Sequence, residues 1–363
     1  MNGEIRKTDI LVVGGGAAGL SAAAEAASYG AKVVVLDSDL HLGGQLVKQT
    51  HKFFGSKDEH AGTRGYKIAD IIMDEIKQCG DNIELHTNTS AVGYYKNDGM
   101  VTVMHGEDEY YKIQPKKMIM ATGAQERIIP FPNNDIPGVY GAGAVQTLMN
   151  VYGVVPGKRV LMIGAGNIGL IVSYQLMQAG VEIAAVLEAL PKIGGYWVHA
   201  AKIRRLGVPI LLRHTIKAAL GTDYVNGAII QDLDTCEMTN VECDVICLAV
   251  GLTPTNEMLW QAGCEMRFVP ELCGHVPLRD PKLRTSNQDV WIAGDAAGIE
   301  EASSAMIEGR IAGLAAAESL GLNVDAQRFK LYHERLGALR RGETGEKIRS
   351  GLSKVQVCDW RDQ

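Results

Sequence analysis

The sequence predicts an α/β fold made of two similar three-layer domains. Residues 8–39 contain a short β-branched strand, a glycine loop, an alanine-rich helix and a second apolar strand. Residues 157–189 repeat the same order. A strand, a crossover helix and a second strand form the unit from which parallel sheets covered by helices on both faces are built. The repeat therefore predicts two such sheets.

The first unit carries a glycine motif typical of dinucleotide binding. Gly14, Gly16 and Gly19 form GxGxxG between the first strand and the helix. The first glycine permits a tight turn, the second lets backbone approach a pyrophosphate, and the third lets the helix press on the strand. The helix N-terminus then faces the phosphates with free N–H groups. Asp37 follows Gly19 by 18 residues and ends the second strand, where a carboxylate can bind ribose hydroxyls.

The second unit repeats this plan with Gly164, Gly166 and Gly169 in its loop and Glu188 at the end of its second strand. An acid at this position favours a free ribose 2′-hydroxyl, and no arginine follows closely to receive a 2′-phosphate. We therefore expect NAD(H), or another adenine nucleotide, at the second site rather than NADP(H).

Two further apolar strands end in small residues. Residues 118–126 end their strand in ATG, and residues 290–298 end theirs in GD. At such strand ends a ligand can pass close to the backbone, and Asp295 offers a carboxylate to a polyol chain. The helix that begins near Glu301 would point its N-terminus at the same place.

Composition narrows the possible partners. The 363 residues are 46% hydrophobic and 21% charged, which suits two domains with sizeable cores. A net charge of −6 gives no general attraction to nucleic acid or to anionic lipid. No run reaches the roughly 18 apolar residues of a membrane span. We expect a cytoplasmic protein with neither a nucleic acid nor a membrane as partner.

The cysteine pattern argues against disulfides and metal sites. Seven cysteines occur at irregular spacings, and neither CxxC nor CxxxxC is present. Cys243 and Cys247 fall in an apolar strand-like run, where a spacing of four would place both on one buried face. A thiol–disulfide relay needs two adjacent thiols, so we do not expect one within this chain.

The order of these motifs resembles the flavoproteins with two dinucleotide-binding domains, the pyridine-nucleotide-disulfide reductase superfamily. The resemblance covers nearly all of residues 8–320. It implies two Rossmann-like domains, with FAD on the first unit, the Asp295 carboxylate on the ribityl chain, and a nicotinamide nucleotide on the second unit. The second domain would be inserted into a discontinuous FAD domain. The expected boundaries are 1–130 and 268–325 for the FAD domain, 131–267 for the inserted domain and 326–363 for a C-terminal tail.

The loop that begins with GGQL at residues 43–46 resembles the loop that wraps the flavin in thioredoxin reductases. This implies that Gly43 and Gly44 pass the pyrophosphate and that Gln45 and Thr50 approach the isoalloxazine ring. His51, Lys52, Phe53 and Phe54 would follow on the wall or cover of the pocket, whereas Lys57 and Arg64 suit a solvated surface.

Motifs and resemblance together give a set of expected cofactor contacts and no catalytic side chain. The contacts expected for FAD are Gly14, Gly16, Ala17, Ala18, Gly19, Asp37, Ser38, Gly43, Gly44, Gln45, Thr50, Lys52, Ala91, Ala121, Thr122, Gly123, Gly294, Asp295 and Ala302. Those expected for the second nucleotide are Gly164, Gly166, Asn167, Ile168, Gly169 and Glu188.

Residues 121–150, 188–211, 249–258 and 294–317 look most like the FAD/NAD subunits of amine and imino-acid dehydrogenases. This group includes sarcosine oxidase alpha subunits, proline and hydroxyproline dehydrogenases, opine oxidases and hydrogen cyanide synthase subunits. The likeness implies a separate subunit that oxidises the substrate. An iron–sulfur cluster is expected on a partner protein, because the only cysteine after Cys273 is Cys358. A homo-oligomer is expected in place of such partner subunits or together with them.

Three functions stay open at this point. The chain is an enzyme subunit that moves hydride between FAD and NAD(H) or a partner, a self-sufficient NADH-dependent reductase of a small acceptor, or an assembly subunit with structural nucleotides. Residues 327–363 are either a frayed tail or a partner-docking element.

Overall fold

The computed structural model describes residues 5–53, 55–358 and 360, and divides the chain into two compact units. The first unit comprises Met1–Gln125 and Thr253–Gln363, and the second comprises Glu126–Leu252. The chain therefore leaves the first unit after the ATG segment and returns to it before residue 254.

The first unit is built on a mixed sheet. In spatial order its strands are Ile83–His86, Val33–Leu36, Ile5–Val13, Glu109–Met120, Met100–His105 and Thr89–Tyr95. The first four run parallel, and the last three form an antiparallel meander. Val290–Ile292 also pairs in parallel with the end of Glu109–Met120. The ends of Ile5–Val13, Glu109–Met120 and Val290–Ile292 thus meet at one edge of the sheet.

Alternating strand residues enter two different cores, as a sheet between two layers requires. Ile10 and Val12 pack with the helix Ala17–Ser28, and Leu11 and Val13 pack on the opposite face.

The remaining helices of this unit are Gly65–Gln78, Glu257–Gln261, Ala302–Ser319, Gln327–Leu339 and Gly342–Ser353. Single-turn helices occur at Gly44–Lys48, Lys57–Glu59, Gly80–Asn82, Pro270–Leu272 and Gly294–Ala297, and a hairpin joins Met266–Val269 to Gly274–Pro277.

Glycines let the helices Ala17–Ser28 and Ala302–Ser319 touch through their backbones. A Cβ added at Gly309 would lie 2.1 Å from the Ala18 carbonyl oxygen, and one added at Gly313 would lie 2.3 Å from that of Ala22. Neither contact leaves room for a side chain. The two helices that begin at the shared sheet edge are therefore held in fixed positions relative to each other.

The second unit has a parallel sheet whose strands, in spatial order, are Ile210–Leu212, Glu182–Glu188, Arg159–Ile163, Val245–Leu248 and Val139–Gly141. The helices Asn167–Gln178 and Trp197–Arg205 pack on one face. An antiparallel sheet of His214–Leu220, Gly227–Asp232 and Met238–Val241 packs on the other. The helix Ala142–Gln146, with the π-helical turn Thr147–Val151, and the linking strands Ala124–Glu126 and Leu252–Pro254 complete the described elements.

The expectation that Cys243 and Cys247 share one face was wrong. Both thiols are buried, but Cys247 packs with the helix layer and Cys243 with the antiparallel sheet. The strand begins only at Val245, so its two-residue alternation does not reach Cys243. Burial raises the pKa of the Cys243 thiol to about 12. None of the seven cysteines, all of which lie among the described residues, forms a disulfide.

Within the described part of the C-terminal segment, Gln327–Leu339 and Gly342–Ser353 are helices rather than a frayed tail. Tyr332 and Leu336 of the helix Gln327–Leu339 are buried, and the Tyr332 hydroxyl donates to Glu25 Oε2 at 2.8 Å. Val355 lies in a small core with Leu272. Arg328, Arg335 and Arg340 of this segment also form ion pairs with Glu25, Glu59 and Glu300. In the described part of the chain, no helix has the length and apolar character needed to cross a membrane.

Candidate functional site

The first glycine loop is packed as its motif predicts. Gly14 has a φ of +105°, and a Cβ added there would lie 2.2 Å from the Ala121 carbonyl oxygen. A Cβ added at Gly19 would lie 1.8 Å from the Gly14 carbonyl oxygen. At Gly16, by contrast, the nearest heavy atom to an added Cβ is Gly44 Cα, at 3.9 Å. Two glycines are therefore required by packing, and the third leaves open space beside the helix N-terminus at Ala17.

Asp37 is tied to this loop. Its Oδ2 accepts a hydrogen bond of 2.6 Å from the backbone N–H of Gly15, and its Oδ1 accepts one of 2.8 Å from that of Asp39. Burial raises the pKa of the Asp37 carboxyl, and the two backbone bonds oppose that shift. Each carboxylate oxygen has a second lone pair, so both can still accept from a hydroxyl. The neighbouring Ser38 is exposed.

The GGQL loop returns to the same place. Gly43 donates its N–H to the Gly15 carbonyl at 2.8 Å, and a Cβ added at Gly44 would lie 2.9 Å from Gly16 Cα. Gly44 has a φ of +51°, which a side chain would strain. These contacts place Gly43 and Gly44 directly beside the open space at Gly16.

The rest of that loop differs from expectation in part. Gln45 and Lys52 are exposed, and Thr50 is partly buried. Phe53 is buried in a core with Leu20, Leu46 and Ile68, and its ring stacks on that of His51 with the ring centroids 5.8 Å apart. Arg64 was expected to be only solvated, but its guanidinium donates to the Thr50 carbonyl oxygen. Phe54 lies outside the described residues.

The ATG segment lies across from the glycine loop. Ala121 donates its N–H to the Val13 carbonyl at 2.8 Å, and Gly123 has a φ of +70°. The Thr122 hydroxyl donates to the Thr255 carbonyl at 2.5 Å. Thr122 and Ala91 both line a cavity of about 170 Å³. Ala91, predicted as a contact although it is distant in sequence, is thus brought to the ATG strand end.

The GD turn completes this edge of the sheet. Gly294 has a φ of +73°, and a Cβ added there would lie 2.8 Å from Ala18 Cβ. Asp295 Oδ1 accepts the Glu300 N–H at 3.2 Å. Burial, reinforced by the carboxylates of Glu308, Glu300 and Glu301, raises the pKa of Asp295 to about 7. The helix Ala302–Ser319 follows, and the side chain of its N-cap residue, Glu301, accepts no capping hydrogen bond from the helix.

The second unit repeats the geometry of the first. Gly164 has a φ of +105°, and its added Cβ would lie 2.3 Å from the Ala249 carbonyl oxygen. A Cβ added at Gly169 would lie 2.0 Å from the Gly164 carbonyl oxygen, and one at Gly166 would meet nothing within 4 Å. Glu188 Oε2 accepts the N–H of Ala165 at 3.0 Å. An open space beside the loop and a tied acid therefore occur in both units.

Sequence reasoning missed a second glycine pair, Gly194 and Gly195. Gly195 donates its N–H to the Ala165 carbonyl at 3.0 Å, as Gly43 does to Gly15. The signal was available, because a GG pair begins six residues after the strand-end acid in both units. The Asn167 side-chain oxygen accepts the Tyr196 N–H at 2.8 Å, which leaves it one further lone pair. Ile168 is exposed.

Comparison with known proteins gives a family match over most of the chain. A family model described as pyridine nucleotide-disulphide oxidoreductase matches residues 8–309. An opine oxidase subunit of Agrobacterium tumefaciens (strain Ach5) is 28% identical over 341 residues, which cover 86% of this chain and 66% of that protein. Hydrogen cyanide synthase subunit HcnB of Pseudomonas aeruginosa is 26% identical over 379 residues, which cover 96% of this chain and 80% of that protein.

A solved structure shows the same fold. L-proline dehydrogenase from P. horikoshii superposes with a TM-score of 0.72 at 24% identity, covering 92% of this chain and 60% of that one. The predicted α/β fold with Rossmann-like units is confirmed. The chain spans about two thirds of the length of the opine oxidase subunit.

Proposed function

Since the chain belongs to the pyridine nucleotide-disulphide oxidoreductase family, and is therefore a flavin oxidoreductase, we propose that it moves hydride between FAD and NAD(H) or a partner subunit. The observation that carries the proposal is the repeated tie between glycine loop and strand-end acid. It joins Gly15 to Asp37 in one unit and Ala165 to Glu188 in the other. Two equivalent loops on one chain suit two nucleotides.

The first unit is the proposed FAD site. The open space at Gly16 admits a phosphate against the backbone, and a Cβ would fill that space. Asp37 would accept ribose hydroxyls, while Gly43 and Gly44 would line the pyrophosphate from the other side. Asp295 would bind the ribityl hydroxyls. Its raised pKa supports this role, because a partly buried carboxyl without full hydrogen bonding gains most from hydroxyl donors.

When bound, FAD supplies hydride transfer at its N5 position. The chain's own contribution is orientation and charge. The uncapped N-terminus of Ala302–Ser319 presents free N–H groups and the positive end of the helix dipole, which stabilise negative charge on a bound group. Gly294 fixes that end against Ala18, so these donors are held in place before the ligand arrives.

The second unit is the proposed site for NAD(H). Glu188 is tied to Ala165 and also accepts the Leu190 N–H at 3.0 Å, so its carboxylate is fixed at the strand end. A fixed carboxylate binds a ribose 2′-hydroxyl and repels a 2′-phosphate. Another adenine nucleotide without a 2′-phosphate would satisfy the same residues.

A complex with partner subunits is the proposed setting, in the cytoplasm. The opine oxidase relative and the hydrogen cyanide synthase relative are both named as subunits. By analogy, a separate flavoprotein subunit would oxidise an amine or imino acid, and an iron–sulfur protein or a second copy of this chain could join it. The second candidate is a self-sufficient NADH-dependent reductase, favoured by the two nucleotide loops on one chain. An assembly subunit with structural nucleotides is the third.

Turnover measurements on the purified chain separate these functions. Rapid reduction of a dye or quinone by NADH with the chain alone would support the self-sufficient reductase. Turnover that appears only when a substrate-oxidising partner is added would support the complex. A bound flavin that no donor reduces would contradict both the reductase and the complex, and would support the assembly subunit with structural nucleotides.

A further inference from the structure

A buried ion cluster lies behind the GD turn. Arg340, at the end of the helix Gln327–Leu339, places its guanidinium between two glutamates. Its Nη2 lies 2.7 Å from Glu300 Oε1 and 2.5 Å from Glu308 Oε1. The three side chains are 12%, 10% and 5% exposed, respectively. A charge cluster this deeply buried has a large desolvation cost, so the position of each charge matters.

Both glutamates act directly on the turn. Glu308 Oε2 accepts the Gly294 N–H at 3.0 Å, and the Glu300 backbone donates to Asp295 Oδ1 at 3.2 Å. One guanidinium therefore fixes two groups that bond to consecutive residues of the turn. Buried Arg279 also fixes the turn, because its Nη1 donates a hydrogen bond to the Ala297 carbonyl at 2.7 Å.

Arg340 is itself rigidly placed. A Cβ added at Gly345 would lie 2.0 Å from the Arg340 carbonyl oxygen, so the next helix packs against that carbonyl. Arg349 also donates to the same oxygen. The arginine is thus held by the C-terminal helices, which lie beyond residue 309, where the family match ends.

We propose that Arg340 is a positioning residue that holds the turn 294–300 in the conformation needed to bind the flavin. Removing its charge leaves Glu300 and Glu308 side by side, with Arg279 as the neighbouring cation. The mutual repulsion of the two glutamates then pulls Glu308 from the Gly294 N–H and loosens the turn. This role rests on the proposed function, since Gly294 and Asp295 contact FAD only if FAD binds in the first unit.

The variant Arg340→Gln tests the role, with Arg328→Gln as its matched control. Arg328 lies at the start of the same helix and pairs with buried Glu25, its Nη1 lying 3.0 Å from Glu25 Oε1. Twelve residues of helix separate the two arginines by about 18 Å. Arg328→Gln breaks the ion pair with buried Glu25, whereas Arg340→Gln breaks the ion pairs with buried Glu300 and Glu308. Only Arg340→Gln removes a contact with the turn.

Two measurements are made on each variant. The first is the dissociation constant of FAD from reconstituted protein, which should rise about tenfold or more in Arg340→Gln and stay near wild type in Arg328→Gln. The second is amide hydrogen exchange across residues 294–300 in FAD-free protein, which should be faster only in Arg340→Gln. Thermal unfolding shows whether the two variants lose comparable stability.

A third variant separates charge from packing. Adding Glu308→Gln to Arg340→Gln removes the uncompensated carboxylate and keeps an amide oxygen for the Gly294 N–H, so FAD affinity should recover part of its loss. Arg340→Lys keeps the positive charge but cannot contact both glutamates in the same geometry, so its FAD affinity should lie between those of the wild type and Arg340→Gln. It replaces Arg340→Gln in these measurements if Arg340→Gln does not fold.

Equal losses of FAD affinity and equal exchange in Arg340→Gln and Arg328→Gln would overturn the proposal and reduce Arg340 to a helix anchor. A wild-type protein that binds no FAD would instead overturn the proposed function. Exchange in the FAD-free protein would then still decide whether Arg340 holds the turn, because faster exchange confined to Arg340→Gln supports that and unchanged exchange refutes it.

Discussion

The backbone N–H of Gly15 lies 2.6 Å from Oδ2 of Asp37. The same bond, at 3.0 Å, joins Ala165 to Glu188 in the second unit, although the two loops are 150 residues apart. In each unit, the acidic residue at the end of the second strand is therefore hydrogen-bonded to the glycine loop that follows the first strand. This correspondence allows a substitution in one unit to be controlled by the same substitution in the other.

Gly16→Val should abolish FAD binding while the protein still folds. Gly16 has a φ of −82°, which any residue can adopt, and an added Cβ would meet nothing closer than 3.9 Å. It would occupy the space in which the pyrophosphate is proposed to lie. The FAD content of the purified variant, measured after denaturation, checks this.

The matched variant is Gly166→Val, which has the same open surroundings in the second unit. It should keep a full complement of FAD and lose reduction of the flavin by NADH. If both variants lost FAD equally, the two loops would not serve separate nucleotides.

Glu188 should make the chain prefer NADH to NADPH. A fixed carboxylate facing a 2′-phosphate is repulsive and loses its hydrogen bonds, which is worth about 1–3 kcal/mol. Glu188→Gln should narrow the preference, as measured by the rates of flavin reduction with each nucleotide, and should leave FAD content unchanged. Equal reduction of the wild type by both nucleotides would refute the assignment, and tight binding of ATP without reduction by either would indicate a regulatory site.

Asp295 should make the FAD-free protein less stable as the pH rises. Its pKa is raised to about 7 in the folded state, against about 3.9 in an unfolded chain. Between these values the folded state keeps a proton that the unfolded state has lost, so the free energy of unfolding falls from about pH 4 to about pH 7. The whole effect is about 2–4 kcal/mol.

The variant Asp295→Asn does not titrate, so its FAD-free form should lose less stability than the wild type between about pH 5 and about pH 8. Denaturant unfolding at the two pH values measures the difference. Parallel pH profiles for the two proteins would mean that Asp295 is ionised like any exposed carboxyl.

Lys52→Met should lower the flavin midpoint potential by some tens of millivolts at most. A nearby ammonium stabilises an anionic reduced flavin, so its removal makes reduction harder. The effect should be small because Lys52 is exposed and water and salt screen its charge. An unchanged potential with a normal spectrum would leave Thr50 and Gln45 as the proposed flavin-facing residues of the loop.

Features set by neighbouring residues were predictable from the sequence, and features set by distant ones were not. The glycine loops, the strand-end acids and the ATG and GD turns each follow from local backbone requirements, and Gly194 could have been added by its spacing from Glu188. The burial of Phe53 was not predictable from its loop, because it depends on packing with residues of the helix Gly65–Gln78. Arg340 lies 32 residues from Glu308, and no local sequence pattern in either segment predicts that the two side chains form an ion pair.

The FAD content of the purified chain shows whether the first unit is a flavin site. We expect a yellow protein that holds one non-covalently bound FAD per chain, released on denaturation and regained by the apoprotein when FAD is added. A colourless protein that cannot be reconstituted with FAD would contradict this expectation.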